Sequence, residues 1–400
     1  MKCCVFNILR NIRAVVAFVI CVILCDVTAN AGLPEYSVAP ADSFPSVSPG
    51  TSERLIVKSE CLDDEMTVDV WFPPSYNFSV PDGFPVIYAY DGQNLFDPAL
   101  SFANVAWELD KTAGTLAEKG EIAAPIIVGI HNRGGKNFRS NDYFPEKAVG
   151  YISDSDKDSS LIWQTCAAGF YGDEHAAFTA TELKPLIDYL YNTNPDRDHT
   201  FAIGSSMGAL ASLYLMCEYP DIFGGAACLS THWIGSLVMN PDYTLQDDYV
   251  CARAILDYMD EKLPEAAHRK LYLDQGSTGW DADYLAYESE ARDIARNHGY
   301  SEEDATLMTY DATGSGHNEW FWQQRADRPL KFLLGNLSSG VTEIEDSVPY
   351  RTAPIYDLSG RIVKSRPAHG IYIQSGKKIL KTSSVTSKYP IDLQGRASGM

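Results

Sequence analysis

Residues 199–218 read HTFAIGSSMGALASLYLMCE, and this stretch decides the fold. Its first part, His199–Gly204, is a short apolar run of the kind that forms a buried strand. Its last part, Met207–Glu218, is a longer run of helix-forming residues. The two are joined by Gly204-Ser205-Ser206-Met207-Gly208, which matches the G-x-S-x-G pattern of a sharp strand-to-helix turn. Such a turn holds a serine side chain out at the end of a sheet, so Ser206 is the predicted nucleophile.

Outward from this turn, short apolar runs alternate with longer helical patterns over most of the chain. Buried strands that alternate with helices of about ten or more residues indicate a mostly parallel central sheet with helices on both faces. We therefore predict an α/β domain over residues 54–335. Its predicted strands are Thr67–Phe72, Pro85–Tyr90, Pro125–His131, His199–Gly204, Gly224–Ser230, Lys270–Asp274 and Leu307–Asp311. Its predicted helices are Ala106–Lys119, Ala176–Tyr191, Met207–Glu218, Val250–Lys262, Ala282–Asn297 and Glu319–Leu334.

Two segments precede this domain. Residues 1–31 carry basic residues before an apolar run, Ala14–Cys25, and end in the small-x-small site Ala29-Asn30-Ala31, which predicts a cleaved signal peptide and an exported protein. An uncleaved membrane anchor and a lipid anchor are the alternatives, although the run is shorter than the roughly 18–20 residues that span a bilayer. Residues 32–53 are rich in proline and serine and predict a flexible linker.

Beyond residue 335 the pattern changes. Residues 336–354 have the polar composition of a second linker. Residues 355–381 contain short alternating runs with glycine at the turns, which predicts a small β module made of hairpins. Residues 382–400 are assigned to a tail.

The composition argues against several function classes. With 32 Lys and Arg against 53 Asp and Glu, the net charge is −21, which repels phosphate backbones and argues against a nucleic-acid partner. No CxxC or HExxH spacing is present, so no metal and no cofactor is predicted. The acidic run Asp154–Asp158 imitates the start of a calcium loop, but Ser159 and Thr165 stand where that loop needs glycine and glutamate.

An odd number of cysteines follows the predicted signal peptide, so pairing is left open: Cys61, Cys166, Cys217, Cys228 and Cys251.

A serine nucleophile needs a general base. Where the nucleophilic serine lies in a turn of this kind, the order along the chain is nucleophile, acid, histidine. The general base is therefore expected after Ser206. His317 stands in the Gly-rich stretch Thr313–Trp320, between the last predicted strand and the last predicted helix, and a loop there can bring its imidazole over the serine. His232 follows the strand Gly224–Ser230 and is predicted to line the substrate pocket. The other histidines after the serine are His268, His298 and His369.

The predicted acid is Asp281, in the stretch Gly276–Asp281 just beyond the strand Lys270–Asp274. A buried carboxylate there would orient the imidazole and stabilise the imidazolium. We place it in a loop, where it could instead serve as a helix cap. The other acidic candidates near the same strand end are Asp274, Asp283 and Glu288.

Further groups complete the predicted site. A tetrahedral oxyanion needs two backbone N–H donors, and these are assigned to Met207, after the nucleophile, and Gln93, after the strand Pro85–Tyr90. Four tryptophans near the site could stack on a sugar or an aromatic acyl group, although core packing explains any one of them equally well: Trp233, Trp280, Trp320 and Trp322.

At these residues the chain resembles the putative esterase family, which includes enterochelin esterase, S-formylglutathione hydrolase (esterase D), and the feruloyl and acetyl-xylan esterases of carbohydrate esterase family one. The resemblance implies the α/β-hydrolase fold, the triad Ser206, Asp281 and His317, and hydrolysis of a carboxylic ester through an acyl-enzyme. It covers about residues 54–335 and rests on the segments Asp91–Asp97 (DGQNLFD), Gly204–Gly208, Leu229–Trp233, Gly276–Tyr284, His317–Glu319 and Pro329–Leu334.

Export favours a substrate derived from a polymer, so the predicted substrate is a carbohydrate-linked acetyl or feruloyl ester. A siderophore or small-thioester hydrolase is the second enzyme hypothesis, weakened because such substrates are commonly handled inside the cell. A non-catalytic glycan-binding protein is the third hypothesis, and an intact Ser/Asp/His set argues against it. The module at residues 355–381 resembles a C-terminal sorting module of the type IX secretion system of Gram-negative bacteria, which implies contact with secretion machinery. The chain continues beyond it to Met400.

Overall fold

The computed structural model describes residues 32–134, 138–335 and 337, together with four short strands between residues 355 and 381. The predicted signal peptide and the predicted tail lie outside these described residues, as does nearly all of the predicted second linker. The chain divides into two compact units. Among the described residues, the first comprises 32–76, 82–134, 138–335 and 337, and the second comprises 77–81 and the four short strands between residues 355 and 381.

The described part of the first unit is built on one mixed sheet with the strand order β1-β2-β3-β5-β4-β6-β7-β8-β9. The strands from β5 to β9 in that order are parallel to one another, whereas β1, β2 and β3 join them through antiparallel pairs. The bounds are β1 Tyr36–Val38, β2 Thr51–Ser59, β3 Asp64–Phe72, β4 Val86–Tyr90, β5 Ile126–Ile130, β6 Thr200–Ser205, β7 Gly225–Leu229, β8 Lys270–Gly276 and β9 Leu307–Ala312.

Helices cover both faces of this sheet. On β4, Ile87 and Ala89 lie in a buried apolar cluster with residues of the first helix, α1 (Leu109–Glu118), and the last helix, α11 (Asp327–Leu334). Tyr90, which points to the opposite face, packs edge-on against Tyr143 of α2 (Arg139–Tyr143). The helices are α1 Leu109–Glu118, α2 Arg139–Tyr143, α3 Ile162–Thr165, α4 Gly172–Ala177, α5 Lys184–Leu190, α6 Met207–Glu218, α7 Tyr249–Lys262, α8 Trp280–Asp283, α9 Leu285–Asn297, α10 Glu319–Gln323 and α11 Asp327–Leu334, with a π-helical turn, Phe178–Leu183, between α4 and α5.

The predicted fold class is confirmed: this is the α/β-hydrolase architecture, and each predicted strand has an observed counterpart. Its centre is the segment that decided the prediction, because β6 and α6 are buried along almost their whole length. That burial explains why the sequence there is apolar on every side rather than amphipathic. None of the helices in the described ranges is both long and apolar enough to span a bilayer.

The predicted linker over residues 32–53 is wrong in part. Tyr36–Val38 forms β1 and pairs with β2, and β2 itself begins at Thr51 rather than after the linker. These strands lie at the antiparallel edge of the sheet, where β1 is exposed throughout and β2 buries only alternate side chains such as Leu55 and Val57. A strand that is buried on one face has about half as many apolar residues as a central parallel strand, and the polar residues at its start make it hard to recognise from the sequence.

The second unit contains an antiparallel sheet with the order β11-β10-β12-β13. Strand β10 pairs with β11, and β12 pairs with β13, so the two predicted hairpins are both formed. The bounds of these strands are β10 Ile355–Tyr356, β11 Ile362–Val363, β12 Gly370–Gln374 and β13 Lys377–Lys381.

Candidate active site

The turn between β6 and α6 is sharply strained at Ser206. Its backbone has φ 56° and ψ −123°, a combination that most residues avoid and that is typical of functional sites. A Cβ on Gly204 would lie 2.2 Å from the carbonyl oxygen of Gly208, so the strand and helix can approach this closely only because Gly204 lacks a side chain. The Ser206 N–H donates to the Leu229 carbonyl on β7 at 3.0 Å, which fixes the turn on the sheet.

The structure brings the three predicted triad residues into one hydrogen-bonded chain. His317 Nε2 lies 2.8 Å from Ser206 Oγ, and His317 Nδ1 lies 2.6 Å from Asp281 Oδ1. Because a carboxylate only accepts, Nδ1–H is the donor to Asp281, and Nε2 is left to accept the proton of the serine hydroxyl. This is the tautomer in which His317 can act as a general base toward Ser206.

Asp281 is completely buried and is bonded at both carboxylate oxygens. Its Oδ2 accepts from the N–H of Gly276 and from the hydroxyl of Ser230, each at 2.7 Å. Burial by itself raises the pKa of Asp281, but the hydrogen bonds from His317, Ser230 and Gly276 together outweigh it and hold the pKa below its ordinary value. The carboxylate is therefore ionised and fixed in orientation.

The placement of Asp281 in a loop is wrong in detail. Gly279 adopts φ 62° and opens a single helical turn, α8, in which Asp281 is the second residue. The other acidic candidates do not reach the histidine: Asp274 is ion-paired with Arg325 at 2.9 Å, and Asp283 is exposed. Glu288 is buried and accepts from the indole N–H of Trp233 at 2.8 Å.

Aromatic rings surround the His317 imidazole. The ring centres of Trp280, Tyr284 and Trp322 lie 5.5, 5.7 and 5.1 Å from it. Trp322 is fixed in turn by its indole N–H, which donates to Ser230 Oγ at 3.0 Å. These contacts restrict rotation of the imidazole, which keeps both of its nitrogens on their partners.

Two predicted substrate-binding residues are buried supports instead. His232 is fully buried between the Tyr284 hydroxyl, 2.5 Å from Nδ1, and the Ser236 carbonyl, 2.9 Å from Nε2. Burial, and secondarily the charge of His317, lowers the pKa of His232 to about 3, so it stays neutral. Trp233 is also fully buried, and neither residue offers surface to a substrate. Both follow β7 directly, and position after a strand end does not reveal whether a side chain turns inward.

Of the other three tryptophans of the prediction, Trp322 is buried, whereas Trp280 and Trp320 are accessible. Trp280 is partly exposed and lies against His317, with its indole N–H 3.3 Å from the carbonyl of Tyr243. Trp320 is 53% exposed, three residues after His317. Tyr243, which the sequence analysis did not single out, is 80% exposed and so adds a further open aromatic surface beside Trp280.

The two predicted oxyanion donors lie in neighbouring segments. Met207 N–H begins α6, and Gln93 N–H lies in the short helical turn that follows β4. Across the described residues, neither of these N–H groups donates to an acceptor in the protein, so both are free to meet a ligand oxygen. The two segments adjoin, because a Cβ on Gly208 would lie 3.4 Å from Asp91 Oδ2.

The loop that carries Gln93 is held by residues that the sequence analysis missed. Asp91 has the left-handed φ of 57°, and its carboxylate is bound by Arg139 at 2.8 and 2.6 Å and by the Asn132 amide at 2.6 Å. Burial raises the pKa of Asp91, but the charge of Arg139 and these bonds lower it overall. Arg139 and Asn132 follow β5, far along the chain from Gln93, and no local motif connects them with it.

No metal site accompanies the triad in the part of the chain that the structure describes, where no group of three or more His, Cys, Asp and Glu side chains is arranged to hold an ion. The cysteines within that part are all free thiols: Cys61, Cys166, Cys217, Cys228 and Cys251.

Two curated relatives come from Bacillus subtilis (strain 168). The uncharacterized protein YbbA is 24% identical over 165 residues, 41% of this chain and 56% of that protein. The uncharacterized protein YjcH is 29% identical over 175 residues, 44% of this chain and 59% of that protein. The matched part thus spans less than two thirds of each relative's length.

A solved structure of a ferulic acid esterase superposes with a TM-score of 0.50 at 18% identity, covering 75% of this chain and 98% of that one. At this identity the likeness shows the fold. The family described as Putative esterase matches residues 59–332, which is more than half of the chain and includes every residue of the site described above. The chain therefore belongs to the Putative esterase family.

Proposed function

We propose that the protein is a serine esterase that hydrolyses carboxylic esters through an acyl-enzyme on Ser206. The observation that carries this proposal is the unbroken hydrogen-bonded chain from Ser206 Oγ through His317 to Asp281. The strained turn at Ser206, the two unpaired N–H groups beside it and the family membership support the same function.

In the first half of the reaction, Ser206 Oγ attacks the ester carbonyl carbon while its proton passes to His317 Nε2. The carbonyl electron pair moves to oxygen, and the N–H groups of Met207 and Gln93 stabilise that oxyanion. Asp281 stabilises the imidazolium. When the intermediate collapses, the bond to the alcohol oxygen breaks and His317 donates its proton to that leaving group, which yields the acyl-enzyme and a free alcohol.

The second half repeats these steps with water. His317 Nε2 takes a proton from the water as its oxygen attacks the acyl carbon, and the same two N–H groups stabilise the second oxyanion. Collapse then breaks the bond to Ser206 Oγ, which recovers its proton from His317. The carboxylic acid leaves and the free enzyme is restored.

The substrate class that we propose is a carbohydrate-linked acetyl or feruloyl ester. Partly exposed Trp280 beside His317, and exposed Trp320 and Tyr243, support it, because flat aromatic faces stack on pyranose rings and on aromatic acyl groups. The fold likeness to a protein named ferulic acid esterase agrees with this choice. Incubation with acetylated and feruloylated xylan fragments, followed by identification of the released acid, tests it. Faster cleavage of a catecholate triester or a small thioester would favour the other enzyme hypothesis.

A kinetic experiment tests the catalytic proposal directly. Mixing the enzyme with p-nitrophenyl acetate should release a burst of about one p-nitrophenolate per active site, followed by slower steady turnover. The acetyl group should be recovered on the peptide that contains Ser206. A glycan-binding protein without catalysis would bind xylan fragments but give neither the burst nor the acetylated peptide.

We also propose that the protein is exported, and that residues 355–381 contact secretion machinery. The support comes from the sequence, namely the signal-like residues 1–31 and the resemblance of the C-terminal strands to a sorting module. A chain ending at Gly335 should keep its esterase activity but fail to leave the cells of its native host. Export of that shortened chain would contradict the sorting role, and loss of its activity would show that the second unit is needed by the first.

A further inference from the structure

One buried hydroxyl beside the triad takes no part in the reaction steps above. Ser230 directly follows β7, is fully buried, and lies 2.7 Å from Asp281 Oδ2. We propose that Ser230 is a positioning residue, oriented by Arg325, that holds the Asp281 carboxylate in the plane His317 needs. The inference rests on the proposed function, in which Asp281 orients the general base.

The direction of this hydrogen bond follows from the neighbours of the hydroxyl. Ser230 Oγ receives the Trp322 indole N–H at 3.0 Å and the Arg325 Nη2 at 2.8 Å. An indole nitrogen and a guanidinium can only donate, so these two groups occupy the acceptor positions of the oxygen. The single hydroxyl proton is therefore left for Asp281. Two obligate donors thus turn a freely rotating hydroxyl into a fixed donor.

Arg325 is itself immobilised. Its side chain is buried and forms a two-pronged ion pair with Asp274, with both N–O distances at 2.9 Å. The Tyr272 hydroxyl donates to the same carboxylate at 2.7 Å, and the Ser230 N–H donates to it at 3.1 Å. Because a bidentate guanidinium pair has a defined plane, the ion pair sets the position from which Arg325 reaches Ser230.

The backbone of Ser230 is a second, independent observation. Its φ is 44°, in the left-handed region that glycine adopts far more readily than serine. Strain of this kind persists where the surrounding structure requires it and concentrates near functional sites. A side chain is present here at a conformational cost, which fits a hydroxyl that is needed at this place.

Without the Ser230 hydroxyl, Asp281 Oδ2 would keep only the Gly276 N–H, and the carboxylate could rotate away from His317. Loss of this hydrogen bond would destabilise the ionised carboxylate, and more so beside a neutral imidazole than beside an imidazolium, whose charge offsets that of the carboxylate. The Asp281–His317 pair would therefore take up a proton more readily. The acid limb of the kcat/KM profile should then move to higher pH. The charged and titratable groups around Asp281 on the neighbouring elements are His317, Arg325, Asp274, Asp283 and Tyr284.

The test uses two variants of the full chain, Ser230→Ala and Ser230→Gly. Both remove the hydroxyl, but glycine suits the left-handed backbone and offsets part of the loss of folding stability. We expect kcat to fall about 10- to 100-fold in both, with KM within about twofold and the acid limb shifted upward. Unchanged kcat and an unchanged pH profile in folded Ser230→Gly would overturn the proposal.

A matched control is available at Ser59, a buried serine at the end of β2 whose hydroxyl also donates to a carboxylate, Glu182, at 2.7 Å. Ser59→Ala should lower stability without altering kcat or the pH profile, and a loss of kcat equal to that of Ser230→Ala would assign both losses to general destabilisation.

A double variant shows whether Ser230 acts through Asp281. Adding Ser230→Ala to Asp281→Asn should cost little further activity, because the carboxylate that it positions is already gone. Full additivity of the two losses would overturn the positioning role. Failure of the proposed function looks different: Ser206→Ala would then retain activity, whatever the result at Ser230.

Discussion

Two carboxylates, one on β8 and one just beyond it, are equally buried and both contact Ser230, but they pair with different side chains. Asp274 and Asp281 are both fully buried, and both accept a hydrogen bond from Ser230, one from its N–H and the other from its hydroxyl. Asp274 faces Arg325, whose guanidinium keeps its proton at any pH a protein survives. Asp281 faces His317, an imidazole placed to accept the proton of Ser206 and to donate it again. Burial is equal, so the partner decides whether the pair supports the fold or moves protons.

The two pairs also differ in the other groups that they contact. The Arg325 guanidinium contacts Asp274, Ser230 and a backbone carbonyl, all within the protein. The His317 imidazole reaches Ser206, the nucleophile of the proposed reaction. We therefore expect damage at Ser206 or Asp281 to appear mainly in turnover, and damage at Asp274 to appear mainly in stability.

The largest expected effect is that of Ser206→Ala, which removes the attacking oxygen and almost no packing volume. Turnover should fall on the order of 10⁴- to 10⁶-fold, as is typical when a triad member is lost. The melting temperature should stay close to that of the wild type, measured beside ester hydrolysis on the same preparation. Retention of more than about a tenth of the wild-type rate would remove Ser206 from the mechanism.

The next largest effect is that of Asp281→Asn. The amide keeps the shape of the carboxylate but favours the wrong imidazole tautomer, so kcat should fall roughly 10²- to 10⁴-fold with a smaller change in KM. The matched control is Asp283→Asn, because Asp283 is exposed two residues further on and should stay near wild type. If the two variants exchanged these behaviours, Asp283 would be the acid.

Asp274→Asn should reverse the balance between activity and stability. Removing one partner of a buried ion pair leaves Arg325 uncompensated and should lower the free energy of unfolding by about 3–5 kcal/mol. Folded Asp274→Asn should lose less turnover than Asp281→Asn, because it acts on the triad only through Ser230. Urea unfolding and steady-state kinetics on both variants measure the two quantities. A larger loss of kcat at Asp274 than at Asp281 would break the comparison.

The parallel half of the fold is predictable from the sequence because its strands are buried on both sides. Strands such as β5 (Ile126–Ile130) are apolar at almost every position, and the turn at Ser206 has a local motif. The antiparallel edge is harder to predict, because β1 buries none of its side chains and β2 buries only some of them. Chain order and glycine content identify His317 and Asp281 without any knowledge of contacts, and the structure places both within hydrogen-bonding distance of each other.

Residues that support the triad could not be found in the same way. Ser230 and Arg325 are 95 residues apart, and what relates them is the packing of the short segment between α10 and α11 against the end of β7. The inward direction of His232 and Trp233 depends on the path of the chain after β7, which no period or spacing encodes. Local motifs thus identify reacting groups, whereas the groups that orient them become visible only when distant segments are brought together.

The smallest expected effect on turnover concerns a third buried carboxylate, Glu288, which shares its ion-pair partner, Arg292, with another carboxylate. Arg292 pairs with Glu288 at 3.0 Å and with Asp311 at 2.8 Å, and burial raises the pKa of Glu288 to about 7. The unfolded chain has a glutamate pKa of about 4.3, so the protonated form is favoured by folding, and that stabilisation is full below about pH 4.3 and lost as the pH rises through about 7.

Glu288→Gln should keep kcat close to wild type and remove this pH dependence. The stability advantage of wild type over the variant, measured by urea unfolding, should therefore be larger at pH 5 than at pH 8. Parallel stability curves across that range would show that Glu288 does not titrate there, and that Arg292 holds it as firmly as Arg325 holds Asp274.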